Sequence, residues 1–305
     1  MKFKKSLPIV EEFPRQPRPV RRLLPNAAIG FTFQKKPDYR RTRSTYPFGR
    51  SATQTTPGPS IGNDLKLKLD LDDESPEVFK RLGVTIWRLE TKSTRKADDE
   101  TAKILVQQEG DKGLEYTPER VSVDTVFKLG DKVRLSFESP TAGYLYIFNS
   151  EILEGDKIGE PYQMFPTRST RGGDNRVLAN SVVDIPALSD HIPYFTFQKT
   201  GAKNYGGVLL TVIVSPEPLS DFSLPDRPVA VSQDLVVGIE NKYLKVTEEY
   251  EQIATVGKTY TRAEEAAGIK STVQLTRNDP FPQTYYRVIA RPEEALLVNI
   301  RLSVK

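Results

Sequence analysis

The feature that most constrains the fold is a run of short apolar segments, close together, that begins near residue 84. In most of them apolar and polar side chains alternate, and Gly, Pro, Asp or Ser residues separate one segment from the next. Such alternation is typical of strands, and turns at this spacing favour antiparallel connections. Strands are predicted at residues 84–90, 103–109, 120–129, 132–139, 143–151, 161–166, 176–186, 194–200, 206–215, 284–290 and 295–304. The chain is therefore predicted to be mainly β, an antiparallel β-sandwich of the jelly-roll or immunoglobulin-like kind.

Two segments break the strand pattern and predict short helices. Residues 232–244 place apolar side chains on one helical face, with Gly238 as an internal residue that weakens the helix. In residues 261–268, Thr261 and Glu264 have the spacing of a capping box, and Gly268 is expected to end the helix. One or two short helices are thus expected beside the sheets.

Two neighbouring strands differ in what they are expected to face. In residues 132–139 the apolar side chains alternate with Arg134, Ser136 and Glu138, which predicts one buried face and one face in water. In residues 143–149, GYLYIFN, both faces are apolar, which predicts a central strand covered on both sides. The alternative for this strand is a binding surface that displays its tyrosines.

The first 60 residues differ in composition from the rest of the chain. They hold 9 of the 23 prolines and few apolar residues, which predicts an extended, Pro-rich basic arm at residues 1–60. A linker or edge strand is expected at residues 61–83. The β-sandwich domain is expected to follow at residues 84–305, with its core at residues 121–216.

One part of the arm has the pattern of a strand. Residues 27–36 alternate, with Ile29, Phe31 and Phe33 on one side, and such a strand needs a sheet edge in its own domain or in a neighbouring copy. The arm is also basic, since residues 1–50 hold 13 Lys and Arg against 3 Asp and Glu, whereas the remainder holds 31 against 37. An interaction role is assigned to this strand and to the basic residues Arg21, Arg22, Lys35, Lys36, Arg40, Arg41 and Arg43.

Composition excludes several chemistries. The chain has no cysteine and one histidine, which rules out disulfides, thiolate catalysis and Cys-based or His-rich metal sites. No cofactor, small-molecule substrate or catalytic constellation is recognised, so the chain is expected not to be an enzyme. No apolar run is long enough for a transmembrane segment. No signal peptide is evident as written; an extracytoplasmic or secreted location is expected if a leader has been removed, and a soluble cytoplasmic one otherwise.

A set of motifs runs through residues 121–216. They are FKLGDKVRLSFESPTAGYLYIFN, PYQMFPT, RGGDNR, VVDIP and YFTF. This set resembles the bacterial domain-of-unknown-function 4384 family, and the flanks GVTIWRLE and NDPFPQTYYRV resemble a longer subgroup, which extends the likeness to about residues 84–303. The resemblance implies a β-sandwich domain of a kind found in secreted or multidomain bacterial proteins. It implies no activity and supplies no functional residues.

Three functions are compatible with these features. The first is a non-catalytic structural module that acts by protein–protein contact. The second is a self-assembling subunit, of a filament or an oligomer, whose arm strand completes the sheet of a neighbouring copy. The third is a binder of anionic polymer through the basic arm, although no nucleic-acid-binding motif accompanies the basic residues and nucleic acid is disfavoured. The expected partner is thus another protein or a second copy of the chain.

Overall fold

The computed structural model describes residues 75–91, 101–106, 114–198, 205–269 and 281–305, all within one compact unit, Lys68–Lys305. Numbered in chain order, the strands are β1 (Val78–Glu90), β2 (Ile104–Val106), β3 (Leu114–Val121), β4 (Val126–Phe127), β5 (Lys132–Glu138), β6 (Gly143–Leu153), β7 (Lys157–Ile158), β8 (Tyr162–Phe165), β9 (Arg176–Val177), β10 (Val182–Ile185), β11 (Phe195–Thr196), β12 (Tyr205–Ser215), β13 (Val229–Ala230), β14 (Thr247–Glu251), β15 (Thr284–Ala290) and β16 (Leu296–Val304). The helices are α1 (Gln233–Tyr243) and α2 (Arg262–Ile269).

The strands pair into two sheets. Sheet 1 has the order β10-β5-β1-β15-β14, with β3 joining β1, β2 joining β3 and β11 joining β5. Sheet 2 has the order β13-β8-β6-β12-β16-β4, with β7 and β9 also joining β6. Among the described pairs of strands only the two-residue pairing of β4 with β16 is parallel, and one isolated bridge, Leu244 with Leu297, is parallel too. The predicted mainly β, antiparallel sandwich is confirmed apart from these two short pairings.

The core lies between the two sheets, because each sheet turns a row of apolar side chains inward. Leu135 and Phe137 of β5 belong to this core together with Leu145 and Ile147 of β6 and Val212 of β12, and each is at most 2% exposed. Burial of a side chain of this size contributes about 1.5–3 kcal/mol. The apolar alternation seen in the sequence is therefore the main source of stability.

The GYLYIFN strand is β6, and it is covered on both faces as predicted. It pairs with β12 along its length and with β8 and β9 on its other side. Leu145 and Ile147 face the core between the sheets, whereas Tyr146 and Phe148 face a second apolar cluster that includes Ile239 of α1. The structure thus assigns the aromatic side chains of this strand to packing.

The helices lie where they were predicted, with one difference at the end of α2. The capping box is confirmed, because Thr261 N donates to Glu264 Oε2 at 2.9 Å and Glu264 N donates to Thr261 Oγ1 at 3.2 Å. Gly268 does not end the helix, which continues to Ile269. It is buried, and a Cβ there would overlap the carboxylate of Asp184. Close packing is therefore the reason for glycine at this position.

Two predicted strands are each divided in the structure. Residues 120–129 contain the end of β3 in sheet 1 and then β4 in sheet 2. Residues 176–186 contain β9 in sheet 2 and β10 in sheet 1, and the turn between them holds Asn180 at a φ of 57°. In both places the chain crosses between sheets, so a single strand was the wrong prediction. β1 also begins at Val78, ahead of the predicted domain start at residue 84.

Candidate interaction groove

Polar side chains on the outer face of sheet 1 are buried, contrary to the prediction for residues 132–139. Arg134 and Ser136 of β5 point away from the core, as alternation requires, yet they are only 2% and 8% exposed. The cover comes from Tyr260, whose hydroxyl donates to Asp184 of β10, and from α2, which packs on the same aspartate. The prediction of a face in water is therefore wrong, because residues far along the chain return to cover it.

Asp184 is the centre of this buried cluster. Its carboxylate accepts hydrogen bonds from Ser136 Oγ at 2.6 Å, Tyr260 Oη at 2.7 Å and Arg134 Nη2 at 3.2 Å. Trp87 Nε1 donates to Ser136 Oγ at 2.7 Å and so extends the network to β1. Burial and the charge of Asp184 raise the pKa of Tyr260 well above its ordinary value. Tyr260 therefore keeps its proton and acts as the donor in its hydrogen bond to Asp184.

A second buried ion pair, Arg120 with Glu264 of α2, lies on the same face. Arg120 Nη1 also donates to the carbonyl oxygen of Phe281 at 2.6 Å, and its guanidinium carbon lies 4.9 Å from the centroid of the Trp87 ring. Burial raises the pKa of the neighbouring Glu138 to about 7, with Arg120 opposing this shift and Glu264 adding to it. These contacts fix α2 on sheet 1.

The buried cluster contains acids, hydroxyls and guanidinium groups of the kinds that enzymes use. Here the four side chains of its two ion pairs are between 1% and 5% exposed, and they bond to one another. Separating a buried, hydrogen-bonded ion pair is costly, so each pair holds together the two elements that carry it. Within the described ranges no group of three or more His, Asp or Glu side chains is placed to hold a metal ion. The bonds of this cluster join α2 to sheet 1.

A groove with a volume of about 570 Å³ lies on the outer face of sheet 2. One wall is residues 215–221, which end β12 and follow it, and the other wall is α1. The helix lines it with Asp234, Leu235, Gly238, Ile239, Lys242 and Tyr243. These positions recur every four residues and so share one side of the helix. A Cβ on Gly238 would meet no atom within 4 Å, so this glycine keeps the helical wall of the groove open.

The groove combines an apolar floor with an acidic rim. The floor consists of partly or fully buried apolar side chains, which are Leu219, Leu235, Ile239, Tyr243 and Ala295. The rim consists of exposed carboxylates, which are Glu217, Asp221, Asp234 and Glu293. Among the described residues one lysine, Lys242, lies on the rim. Its side-chain hydrogen bond with Tyr243, together with the charge of Asp221, raises its pKa. Four carboxylates against one ammonium group make the groove attractive to cations.

The aromatic face of β6 supports one wall of this groove. Tyr146 Oη accepts a hydrogen bond from Leu219 N at 2.8 Å. Phe222, just beyond the wall, packs with its ring centroid 5.7 Å from that of Tyr146 and 4.9 Å from that of Phe148. The tyrosine that first suggested a display surface therefore holds the groove's backbone in place from beneath.

The rim carboxylate of Glu293 is held by the turn between β15 and β16. Lys80 of β1 is 3% exposed and donates to the carbonyl oxygens of Pro292 at 2.8 Å and Glu294 at 2.6 Å. Ser75, the first described residue, donates from Oγ to Glu293 Oε1 at 2.6 Å, and this bond is the largest cause of the lowered pKa of Glu293. Glu293 therefore remains ionised at the rim.

The interaction residues predicted from the sequence are not part of this groove. They lie outside the described residues, and they are Ile29, Phe31, Phe33, Arg21, Arg22, Lys35, Lys36, Arg40, Arg41 and Arg43. The groove residues escaped prediction because they come from three separated segments. The available signals were the one-sided apolar pattern of residues 232–244 and the proline-rich segment PEPLSD at residues 216–221.

Comparison with family models, with curated proteins and with solved structures finds no match to the chain. The likeness to the domain-of-unknown-function 4384 family therefore stays a resemblance carried by its motifs. None of the helices in the described ranges is long and apolar enough to cross a membrane.

Proposed function

We propose that the chain is a non-catalytic β-sandwich module that acts by protein–protein contact, and that its groove binds a basic polypeptide segment carrying apolar side chains. The observation that carries this proposal is the combination of the apolar floor with four rim carboxylates. Apolar side chains buried on the floor supply affinity at about 25 cal/mol per Å² of area removed from water. The carboxylates select positive charge and speed the encounter.

The non-catalytic part of the proposal is supported by the environment of the polar side chains on sheet 1. Arg134 and Asp184, the pair at the centre of the buried cluster, have side chains 2% and 3% exposed. A general acid or base must come within hydrogen-bond reach of its substrate. Groups that are sealed under α2 and Tyr260 do not meet this condition.

The groove can be tested by charge reversal in the full chain. The probe is a fluorescein-labelled peptide of residues 21–43, which is basic and contains Ile29, Phe31 and Phe33, and the measurement is fluorescence anisotropy. Replacing Asp221→Lys and Asp234→Lys together is expected to weaken binding about tenfold or more, because two attractive rim charges become repulsive. Replacing Glu154→Lys and Glu160→Lys together is the matched control, since both residues are exposed and lie outside the groove, and their replacement changes the net charge by the same amount.

Two outcomes would contradict the proposal. One is equal binding of the peptide by the wild type, the groove variant and the control. The other is binding that disappears completely at moderate salt, since exposed charges are screened over about 8–10 Å at physiological ionic strength whereas apolar contacts persist. Binding that survives salt and responds only to the groove variant supports the groove.

A second candidate function is self-assembly, in which the arm strand with Ile29, Phe31 and Phe33 completes the sheet of a neighbouring copy. The observation that favours it is β14, which ends sheet 1 and pairs with β15 alone among the described strands. Light scattering and electron microscopy on the full chain, and on a chain without residues 1–60, would test it. Assembly is expected only with the arm, and a monomer in both cases would contradict this candidate.

A further inference from the structure

Strand β14 forms one edge of sheet 1. Its five residues, TEEYE, pair with β15 in an antiparallel register that joins Thr247 to Val288 and Glu251 to Thr284. In the part of the chain that the structure describes, no strand pairs with its other side. An edge of this kind offers a row of main-chain groups to an added strand.

The main-chain groups that point outward can be assigned from the hydrogen bond that follows the strand. Gln252 N donates to the carbonyl oxygen of Gln283 at 2.8 Å, one position beyond the pair of Glu251 with Thr284. Hydrogen-bonded and non-hydrogen-bonded pairs alternate in an antiparallel ladder. Glu251 and Thr247 therefore direct their N–H and C=O groups away from β15, toward the side where an added strand would lie.

The side chains along this edge are acidic in the middle and apolar at the ends. β14 contains Glu248, Glu249 and Glu251 and no Lys or Arg, and one of the three, Glu248, is paired with Arg287 of β15. Val246 at one end is 88% exposed and Ile253 at the other is 77% exposed, which makes them the two most exposed large apolar side chains in the described chain. Exposed apolar side chains rimmed by charge are a mark of an interaction site.

The charge of β14 discriminates between possible partners. If two copies of β14 paired antiparallel, their glutamates would come close across the new ladder, and like charges on facing strands are destabilising. Charged edge strands commonly prevent this self-pairing. A strand that carries lysine or arginine meets attraction at the same positions. The charge thus disfavours pairing of β14 with a second β14 and favours a basic strand from elsewhere in the chain or from another protein.

We propose that β14 is an acceptor for β-augmentation by an extended, basic strand with alternating apolar side chains, supplied by a partner polypeptide. The outward main-chain groups of Thr247 and Glu251 provide the hydrogen bonds, Val246 and Ile253 provide apolar contact at the two ends, and the glutamates select the charge. This surface lies on sheet 1, whereas the groove lies on sheet 2. The proposal therefore stands without the groove.

Hydrogen exchange on the full chain, read residue by residue, tests the proposal. The probe is a peptide of residues 27–36, AAIGFTFQKK, the segment of this chain that has the required chemistry. Saturating peptide is expected to slow exchange at the amides of Thr247 and Glu251 about tenfold or more, because an added strand hydrogen-bonds them. Two control peptides are expected to give no slowing: one with the same composition but without alternation, and one with both lysines replaced by glutamate.

The variant Thr247→Pro removes one outward N–H at the first position of the strand, where proline is tolerated. It is expected to weaken binding of the peptide about tenfold while the unfolding midpoint changes little. Charge reversal at Asp221 and Asp234 in the groove is expected to leave the slowed exchange of β14 intact. Because the peptide of residues 21–43 contains residues 27–36, its binding to the groove is measured with Thr247→Pro present in every protein compared. Failure of the groove and failure of the edge are then distinguishable.

Unchanged exchange at Thr247 and Glu251 with saturating peptide would overturn the proposal, as would equal slowing by the glutamate peptide. Exchange at Thr247 and Glu251 could already be slow without peptide, if residues 27–36 of the chain itself occupy β14. In that case the proposal requires exchange to become fast on dilution, or after the double replacement Phe31→Asp and Phe33→Asp. Slow exchange that persists under both treatments would overturn the proposal as well.

Discussion

Gly268 of α2 lies directly against the carboxylate of Asp184 on β10, with no room for a Cβ between them. The same carboxylate accepts hydrogen bonds from Ser136, Tyr260 and Arg134. The helix thus contacts the sheet through the backbone of Gly268, and the sheet contacts the helix through a carboxylate that already accepts three hydrogen bonds. Replacements at this contact and at the other helical glycine, Gly238, should therefore have opposite effects.

The variant Gly268→Ala is expected to destabilise the protein, and Gly238→Ala is expected to stabilise it. Alanine is favoured over glycine in a helix by about 1 kcal/mol. At residue 268 a methyl group must displace a carboxylate held by three donors, and such overpacking costs about 1–3 kcal/mol. At residue 238 the methyl group meets no atom within 4 Å. Urea unfolding of both variants measures the two changes, and changes of the same sign would contradict the contact geometry.

The hydroxyl of Tyr260 should contribute measurably to stability. Tyr260→Phe leaves the buried carboxylate of Asp184 with one donor fewer, and such a loss costs about 1–3 kcal/mol in the free energy of unfolding. Tyr250→Phe is the matched control, because the hydroxyl of Tyr250 bonds to Glu248 at a surface where the tyrosine is 42% exposed. The control is expected to change stability by no more than about 0.5 kcal/mol. Equal losses of unfolding free energy in the two variants would show that the buried hydroxyl contributes no more to stability than the exposed one.

The cluster on sheet 1 shows why the strands were predictable and their surroundings were not. Alternation within β5 correctly placed Arg134 and Ser136 on the face away from the core. Whether that face meets water depends on Tyr260 and α2, which lie more than 100 residues further along the chain. Periodicity within one strand carries no information about such cover. The capping box of Thr261 and Glu264 was predictable because it is a contact between residues three positions apart.

The groove was not predictable either, because patterns within one segment do not show which distant segments it meets. Its walls come from residues 215–221 and from α1, and Glu293 comes from a turn that Lys80 anchors from β1. The pairing of β12 with β16 brings residues 215–221 near Glu293. Apolar packing against Tyr146 and Phe148 of β6 places α1 beside them. The helix of residues 232–244 was predictable from its apolar face, but the acidic rim arises only when separate loops meet.

Glu138 should make stability depend on pH. Burial raises its pKa from an ordinary value of 4.5 to about 7. Between these values the folded protein keeps a proton that the unfolded chain releases, so the free energy of unfolding falls as pH rises from about 4.5 to about 7, by up to about 3 kcal/mol. Below this window both states are protonated, and above it both are ionised, so the contribution is constant on either side.

The variant Glu138→Gln isolates this effect, because glutamine has a similar shape and cannot ionise. The difference in free energy of unfolding, variant minus wild type, is expected to be larger at pH 8 than at pH 4.5. The increase is expected to approach about 3 kcal/mol. Urea unfolding of both proteins at the two pH values gives this difference directly. Subtracting the wild type removes the titration of all other groups. A difference that stays constant with pH would show that Glu138 titrates normally.

A bulky side chain at Gly238 should close the groove without harming the helix. The glycine lies on the groove side of α1, and the space beside it is open. Gly238→Phe places a ring in that space, and phenylalanine is a better helix former than glycine by a few tenths of a kcal/mol. Binding of the peptide of residues 21–43 is therefore expected to weaken about tenfold or more, because the ring occupies the floor that the apolar side chains need.

The matched control for this closure is Val237→Phe. Val237 is the preceding residue of α1, is 41% exposed and does not line the groove, so the same ring there projects into solvent. Its binding is expected to equal that of the wild type, and urea unfolding should show both variants folded. Because Gly238→Phe changes no charge, a loss of binding in this variant alone separates apolar contact from electrostatic attraction. Unchanged binding by Gly238→Phe would mean that the peptide is held by the rim carboxylates alone or lies elsewhere on the protein.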